Sequence, residues 1–185
     1  MTTLLMVRHG ATEWTKLGRL QGRTDIDLSA DGSHDVRQLA AVVAAWQPRT
    51  AIASPLSRTR STAELLGAVE IDYDNRWAEA GLGEWEGCTP EAIGDDYRRW
   101  RSGELVPPAG ELPADVTART SAAVLDAARR PGPVLVVTHG GVIRAVLAQF
   151  VGLSAARLVP VAAPSITALD VDPDGSARLR ALNLR

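Results

Sequence analysis

The sequence predicts an α/β fold: a three-layer α/β/α arrangement around a mostly parallel central sheet, with an antiparallel edge strand and a loop-rich lid insertion. Three observations carry this expectation. Short apolar runs such as Leu4-Leu5-Met6-Val7 and Val134-Leu135-Val136-Val137 end abruptly in polar residues, as strands buried on both faces do. Stretches with apolar residues at helical spacing separate them. Near the C-terminus, Asp172-Pro173-Asp174-Gly175 lies between two strand-like segments, which reads as an antiparallel hairpin adding an edge to the sheet.

Leu4–Val7 is the first expected strand. Ser29-Ala30-Asp31-Gly32 then leads into a helix over His34–Trp46, where Val36, Leu39, Ala40, Val43 and Ala44 share a face. Pro48 stops it. Thr50–Ser54 reads as a second strand broken by Pro55, and Thr59–Gly67 as a helix with a glycine cap. Val69–Tyr73 is a further strand. From Glu79 to Pro113 glycine and proline are frequent, with a short helix expected around Glu91–Arg101; this segment reads as an insertion or lid. Helical periodicity returns over Ala114–Arg130. After Pro131-Gly132-Pro133 come the strand Val134–Val137, a helix over Val142–Phe150, and strands over Ile166–Val171 and Ala177–Leu182. No internal repeat or low-complexity tract interrupts the pattern, and 185 residues suit one domain, 1–185, with the lid near 79–113.

Composition narrows the function classes. Hydrophobic residues are 45%, charged residues 23% and the net charge −2, so no nucleic-acid footprint or anionic-membrane surface is expected. Of 20 basic residues only Lys16 is lysine, and arginine is the better bidentate partner for phosphate or carboxylate. The single cysteine, Cys88, rules out an internal disulfide framework and a multi-cysteine metal site. With no secretory leader pattern and no apolar run approaching the ~20 residues that span a bilayer, a soluble cytoplasmic protein is expected.

Two of the three histidines occupy the same position in the pattern. Arg8-His9-Gly10 ends the first strand, and Thr138-His139-Gly140-Gly141 ends the fourth. Ligands of open α/β sheets bind outside the carboxyl ends of the strands, so neighbouring strands would place His9 and His139 at one crevice. A metal site would need further ligands, and no histidine cluster exists; G-x-S-x-G and P-loop patterns are absent as well. Histidine with arginine remains: imidazole can act as a covalent nucleophile, and guanidinium groups can hold a phosphoryl oxyanion. Gly140 would open a helix, where free N–H groups favour an anion. Arg58, just beyond the second strand, is the better crevice candidate, while Arg60 reads as a solvated helix face.

These residues resemble the histidine phosphatase superfamily, the phosphoglycerate-mutase-like group. The matching segments are Arg8-His9-Gly10-Ala11-Thr12-Glu13-Trp14, Leu20-Gln21-Gly22, Ser54-Pro55-Leu56-Ser57-Arg58, Glu79 with Gly83-Glu84-Trp85-Glu86-Gly87, and Thr138-His139-Gly140-Gly141. The resemblance spans nearly the whole chain. It implies that His9 attacks phosphorus to form a phosphohistidine, that Arg8, Arg58 and His139 surround the phosphoryl group, and that Glu79, rather than Glu84 or Glu86, protonates the leaving alkoxide. Gly10, Thr15, Gln21, Gly22 and Gly140 would complete phosphate and substrate binding. No metal or other cofactor is implied. The chain departs from the family at Thr15, where asparagine is frequent, and at Gly110-Glu111-Leu112, where Gly-Glu-Ser is common.

Within the family, Glu79 is followed by Ala80-Gly81-Leu82-Gly83 rather than the Arg-His-Tyr-Gly of cofactor-dependent mutases. Arg98, Arg99 and Arg101 are the candidates for a second cationic subsite, and they read as a wet helix face. Trp14, Trp77, Trp85 and Trp100 could line a pocket, although packing is their simpler role. The expected activity is therefore hydrolysis of a small-molecule phosphomonoester by a monomer or homodimer. Mutase-type phosphoryl transfer and a phosphate-binding module without turnover are the alternatives.

Overall fold

A computed structural model describes residues 1–154 and 157–185. Strands β1 (Thr2–Arg8), β2 (Thr50–Ala53), β3 (Ile71–Tyr73), β4 (Val134–Thr138), β5 (Ser165–Val171) and β6 (Ala177–Leu184) form one sheet in the order β3-β2-β4-β1-β5-β6. The helices are α1 (Glu13–Lys16), α2 (Ala30–Ala45), α3 (Ser57–Leu65), α4 (Pro90–Ile93), α5 (Asp95–Ser102), α6 (Pro113–Ala128) and α7 (Gly140–Val151). The α/β expectation holds. One detail changes: the antiparallel strand is β5, which lies inside the sheet between β1 and β6. The hairpin does supply the edge, but that edge is β6, which runs with β1 because two reversals restore its direction.

Side-chain alternation along the strands builds the layers. Leu4, Met6, Val134 and Val136 pack with Val124, Ala127, Ile143, Val146 and Leu147 of α6 and α7. Leu5, Val7, Leu135 and Val137 point the other way, onto Val36, Leu39 and Val43 of α2 and Ala63 of α3. Every residue of β4 is buried, which explains why its sequence shows no polar alternation.

Local chemistry sets several boundaries. α2 starts four residues before the expected His34, because the Ser29 hydroxyl accepts from Gly32 N at 3.0 Å and caps the helix. The helix expected over Glu91–Arg101 is two helices, α4 and α5, separated at Gly94 with φ +71°. α1 is one turn long and too short to show periodicity; Thr12 and Thr15 form its capping box.

The sheet also positions the site. β1 and β4 are parallel neighbours with Arg8 opposite Thr138, and His9 N donates to Thr138 O at 3.0 Å. The next residue on each strand is therefore His9 or His139, side by side at the carboxyl end of the sheet.

Candidate active site

A cavity of about 200 Å³ opens at this end of the sheet. Its walls include His9 and Arg8 from β1 and its end, Gln21 and Gly22 from the following loop, Arg58 from α3, Glu79, and Gly140, Gly141 and Arg144 from α7. The segment after Glu79 closes one side with Ala80, Leu82, Tyr97, Trp100 and Arg101.

His9 is nearly inaccessible, at 3% exposure. Its Nδ1 lies 2.7 Å from Gly10 O. A carbonyl can only accept, so Nδ1 carries the proton and Nε2 keeps its lone pair. Burial holds the imidazole well below its ordinary range, and Arg58 and Arg8 push the same way. His139 is fully buried and meets the His9 ring edge to face, 5.2 Å between centroids. Its Nε2 is 2.8 Å from Ser54 Oγ, while Nδ1 is buried with no partner among the described residues. Burial, followed by Arg58, also depresses His139.

These two neutral histidines give a pH dependence with a definite sign. In the unfolded chain they titrate near pH 6.5, whereas the folded state refuses the proton. The unfolded chain therefore binds more protons below about pH 6.5, and each histidine removes up to about 1.4 kcal/mol of stability per pH unit there. Urea unfolding should show little change from these groups between about pH 8 and 7, and a steady loss from about pH 6.5 to 5.5. An unchanged unfolding free energy across that lower window would contradict neutral His9 and His139.

The arginines are held rigidly. Arg58 has no exposed surface; it donates from Nη1 to Thr24 O at 2.9 Å and from Nη2 to Gly22 O at 2.7 Å, leaving Nε without a partner among the described residues. A buried guanidinium loses hydration worth several kcal/mol, which the two carbonyl bonds and the nearby Glu79, Asp25 and Glu86 carboxylates offset in part. Burial lowers Arg58, and it brings Arg8 down to about 10, both still charged at neutral pH. Arg8 Nη1 donates to Val161 O, and its Nε has no partner among the described residues.

Glu79 lies against the start of α7. Its Oε2 accepts from Gly141 N and its Oε1 from Ala80 N, each at 3.0 Å. Glu86, the alternative to Glu79, does not line the cavity and has its carboxylate committed to more partners. It accepts from Thr24 N at 2.8 Å, Arg23 N at 2.9 Å and Leu82 N at 3.1 Å, and from the Thr24 hydroxyl. Burial alone would raise its pKa, but these bonds hold it down. Glu84 is not among the cavity walls.

Two expected ligands serve other ends. Gly10 donates its N–H to Thr62 Oγ1 at 3.1 Å and gives its carbonyl to His9, so it orients the imidazole and does not line the cavity. A Cβ on Gly10 would come within 2.6 Å of Val36, which is why glycine stands there. The Thr15 hydroxyl bonds Thr12 N at 3.2 Å and accepts from Gln21 Nε2 at 2.9 Å, also outside the cavity. Being shorter than asparagine, it reaches Gln21 rather than the crevice. Gln21 does line the cavity, and its Oε1 is buried without a partner among the described residues. Gly22 lines it with φ +51°, its carbonyl holding Arg58. Glu111, in the divergent Gly-Glu-Leu stretch, pairs with Arg119 at 2.7 Å. Arg119 in turn donates to Ala78 O at 2.7 Å and Glu79 O at 3.3 Å, bracing the backbone at Glu79.

Sequence reasoning missed Arg144. The signal was present: an arginine interrupts the apolar run Val142-Ile143-Arg144-Ala145-Val146-Leu147 one turn after Gly140. The wet-face reading holds for Arg98 and Arg99, which pair with Asp95 and Asp96, and for Arg101, which is exposed although it also borders the cavity. Trp77 and Trp85 are buried as packing residues, whereas Trp100 lines the cavity.

Comparison with known proteins agrees with this geometry. The family model described as "Histidine phosphatase superfamily (branch 1)" matches residues 4–185. The chain is 35% identical over 167 residues to a glucosyl-3-phosphoglycerate phosphatase of Mycolicibacterium vanbaalenii, covering 81% of this chain and 74% of that protein. It is also 35% identical over 159 residues to an acid phosphatase of Mycobacterium tuberculosis, covering 83% and 78%. A solved structure of mycobacterial glucosyl-3-phosphoglycerate phosphatase in complex with VO3 superposes with a TM-score of 0.90 at 32% identity, covering 100% of both chains.

Proposed function

Because the chain belongs to the histidine phosphatase superfamily, branch 1, we propose that it is a phosphoric monoester hydrolase working through a phosphohistidine at His9. One observation supports this most: the Nδ1 proton of His9 is committed to Gly10 O, which leaves the Nε2 lone pair for a cavity flanked by Arg8 and Arg58.

The steps balance as follows. The Nε2 lone pair of His9 forms an N–P bond as the P–O bond to the leaving alkoxide breaks. Glu79, in its acid form, gives its proton to that oxygen. Glu79 then takes a proton from water, whose oxygen attacks phosphorus; the N–P electron pair returns to Nε2 and inorganic phosphate leaves. Arg8 and Arg58 meet the equatorial oxygens, where charge is spread in the transition state. His139 stands behind His9: with the Ser54 hydroxyl donating to Nε2, the proton sits on Nδ1, and the neutral ring packs edge to face on the attacking imidazole and holds it in place. The Gly140 end of α7 adds the partial positive charge of a helix N-terminus.

The segment near 79–113 serves as the lid, since it supplies Glu79, Tyr97, Trp100 and Arg101 to the cavity walls. No described helix is long and apolar enough to cross a membrane, and we place the enzyme in the cytoplasm, acting on a small phosphorylated molecule.

Phosphate release from p-nitrophenyl phosphate by the purified chain tests the class. Glu79→Gln tests the acid. It should lower kcat by ~10²–10³ for alkyl phosphates, whose alkoxides need a proton, and by less than about tenfold for p-nitrophenyl phosphate. Equal losses on both substrates would remove Glu79 from the acid role.

A further inference from the structure

Glu79 stands on backbone that no helix or strand holds. Residues 78–82 run between two single 3₁₀ turns, Asn75–Trp77 and Gly83–Trp85, so no ladder of main-chain bonds fixes where the Glu79 side chain points. Its carboxylate bonds to Ala80 N and Gly141 N favour the charged form, and they weaken once the group is protonated to serve as an acid. A proton donor nevertheless has to meet one particular oxygen, and a misplacement of about 1 Å can cost a factor of ~10². The direction must be fixed from elsewhere.

Glu111 and Arg119 grip this segment from outside. Glu111 precedes α6 and Arg119 lies on its second turn; each side chain is 15% exposed. Arg119 donates from Nε to Glu111 Oε1 at 2.7 Å and from Nη2 to Oε2 at 3.0 Å, a two-pronged pairing that fixes both planes. Its remaining N–H groups go to the main chain: Nη1 to Arg76 O and Ala78 O, each at 2.7 Å, and Nη2 to Glu79 O at 3.3 Å. Every donor of the guanidinium is then engaged. From the other side, Glu111 Oε2 accepts from Gly81 N at 3.2 Å, and Glu111 N donates to Gly81 O at 2.8 Å. Arg23 joins them, donating from Nε to Glu79 O at 3.2 Å and from Nη2 to Glu111 Oε2 at 3.1 Å. The chain is thus held just before Glu79, at Glu79 and two residues after it. Neither Glu111 nor Arg119 lines the cavity at His9.

Resting on the reading of Glu79 as the proton donor, we propose that Arg119, oriented by Glu111, is a positioning residue for that proton transfer and acts on the chemistry only through the placement of Glu79. The divergent Gly110-Glu111-Leu112 stretch then has a role, carried by Glu111; Leu112 makes no side-chain bond to the start of α6. A loss of the clamp falls on leaving groups that need a proton. It spares phosphate binding, because Arg8 and Arg58 are held by other bonds.

The test compares glycerol 3-phosphate, whose alkoxide needs a proton, with p-nitrophenyl phosphate, whose phenolate leaves without one. Arg119→Lys keeps the charge, but an ammonium group cannot hold a carboxylate and three carbonyls in one plane. It should lower kcat/KM by ~10–10²-fold for glycerol 3-phosphate and by less than about threefold for p-nitrophenyl phosphate. Inhibition by inorganic phosphate should be unchanged. Glu111→Gln, nearly the same in size, should show the same selectivity with a smaller factor, and it serves if Arg119→Lys does not fold. The quotient of the two esters, measured on one preparation, is independent of the fraction folded, so a general loss of structure cannot imitate the effect. Arg76→Gln removes a neighbouring arginine whose side chain pairs with Asp74 and Asp126, and should shift the quotient by less than about twofold. Added to Glu79→Gln, Arg119→Lys should cost less than about twofold more on glycerol 3-phosphate, since the group it places is gone. Equal losses on both esters in Arg119→Lys and Glu111→Gln, or full additivity in the double variant, would overturn the inference while leaving Glu79 as the acid. Equal losses on both esters in Glu79→Gln would instead remove the acid reading, and the inference with it.

Discussion

His9→Ala should lower kcat by about 10⁴-fold or more on every phosphomonoester, whatever the leaving group. The size follows from the site's design. Among the described residues His9 is the one imidazole lining the cavity, since His139 lies behind it and is absent from the walls. The loss should be catalytic rather than structural. His9 Nδ1 bonds only to the neighbouring Gly10 O, and its main-chain bond to Thr138 O survives the substitution. Phosphate should still bind the variant, because Arg8 and Arg58 remain. A variant that turns over within tenfold of wild type would show that water, and not imidazole, attacks phosphorus.

Arg58→Lys should be the second large loss, ~10²–10³ in kcat, although charge is conserved. The fork of Arg58 reaches Gly22 O and Thr24 O at once and still has Nε to offer; an ammonium group cannot reproduce that geometry. Losing two buried bonds to a charged donor should also cost roughly 2 kcal/mol or more of stability. Thermal unfolding separates the two effects. If the variant is as stable as wild type and equally active, Arg58 is a surface cation in practice and its burial has been misjudged.

Much of this was legible in the sequence, for identifiable reasons. The strand–His–Gly pattern, met once, is weak; met twice, it places both histidines at one crevice, and the parallel pairing of β1 with β4 brings them together. Arg58 was legible because it follows a strand that stops at Ser54-Pro55. Gly10 and Thr15 do not line the cavity, which the sequence could not show, because sequence position gives nearness to a site but not which way an N–H or hydroxyl turns. Both are engaged elsewhere, Gly10 with Thr62 of α3 and Thr15 with its own helix cap. Arg144 went unread for the opposite reason, and Arg101, a candidate for a second cationic subsite, read as a wet helix face. Each lies on a helix, and whether a helical arginine meets solvent or a cavity depends on the packing of distant segments, here the lid against α7. The order of the last strands was similarly hidden, because a hairpin signal fixes the pairing of β5 with β6 but not which of them meets β1.

The central claim is that phosphorus is bonded to His9 during turnover. The direct measurement mixes the chain with a rapidly reacting ester, quenches in alkali within a single turnover, and maps the protein by mass spectrometry. Phosphorylated nitrogen is acid-labile and alkali-stable, so the account predicts one added phosphoryl group on the peptide spanning Arg8-His9-Gly10, lost on acidification and absent from His9→Ala. A phosphoryl group on any other residue, or none while turnover proceeds under conditions that would accumulate it, would contradict the account.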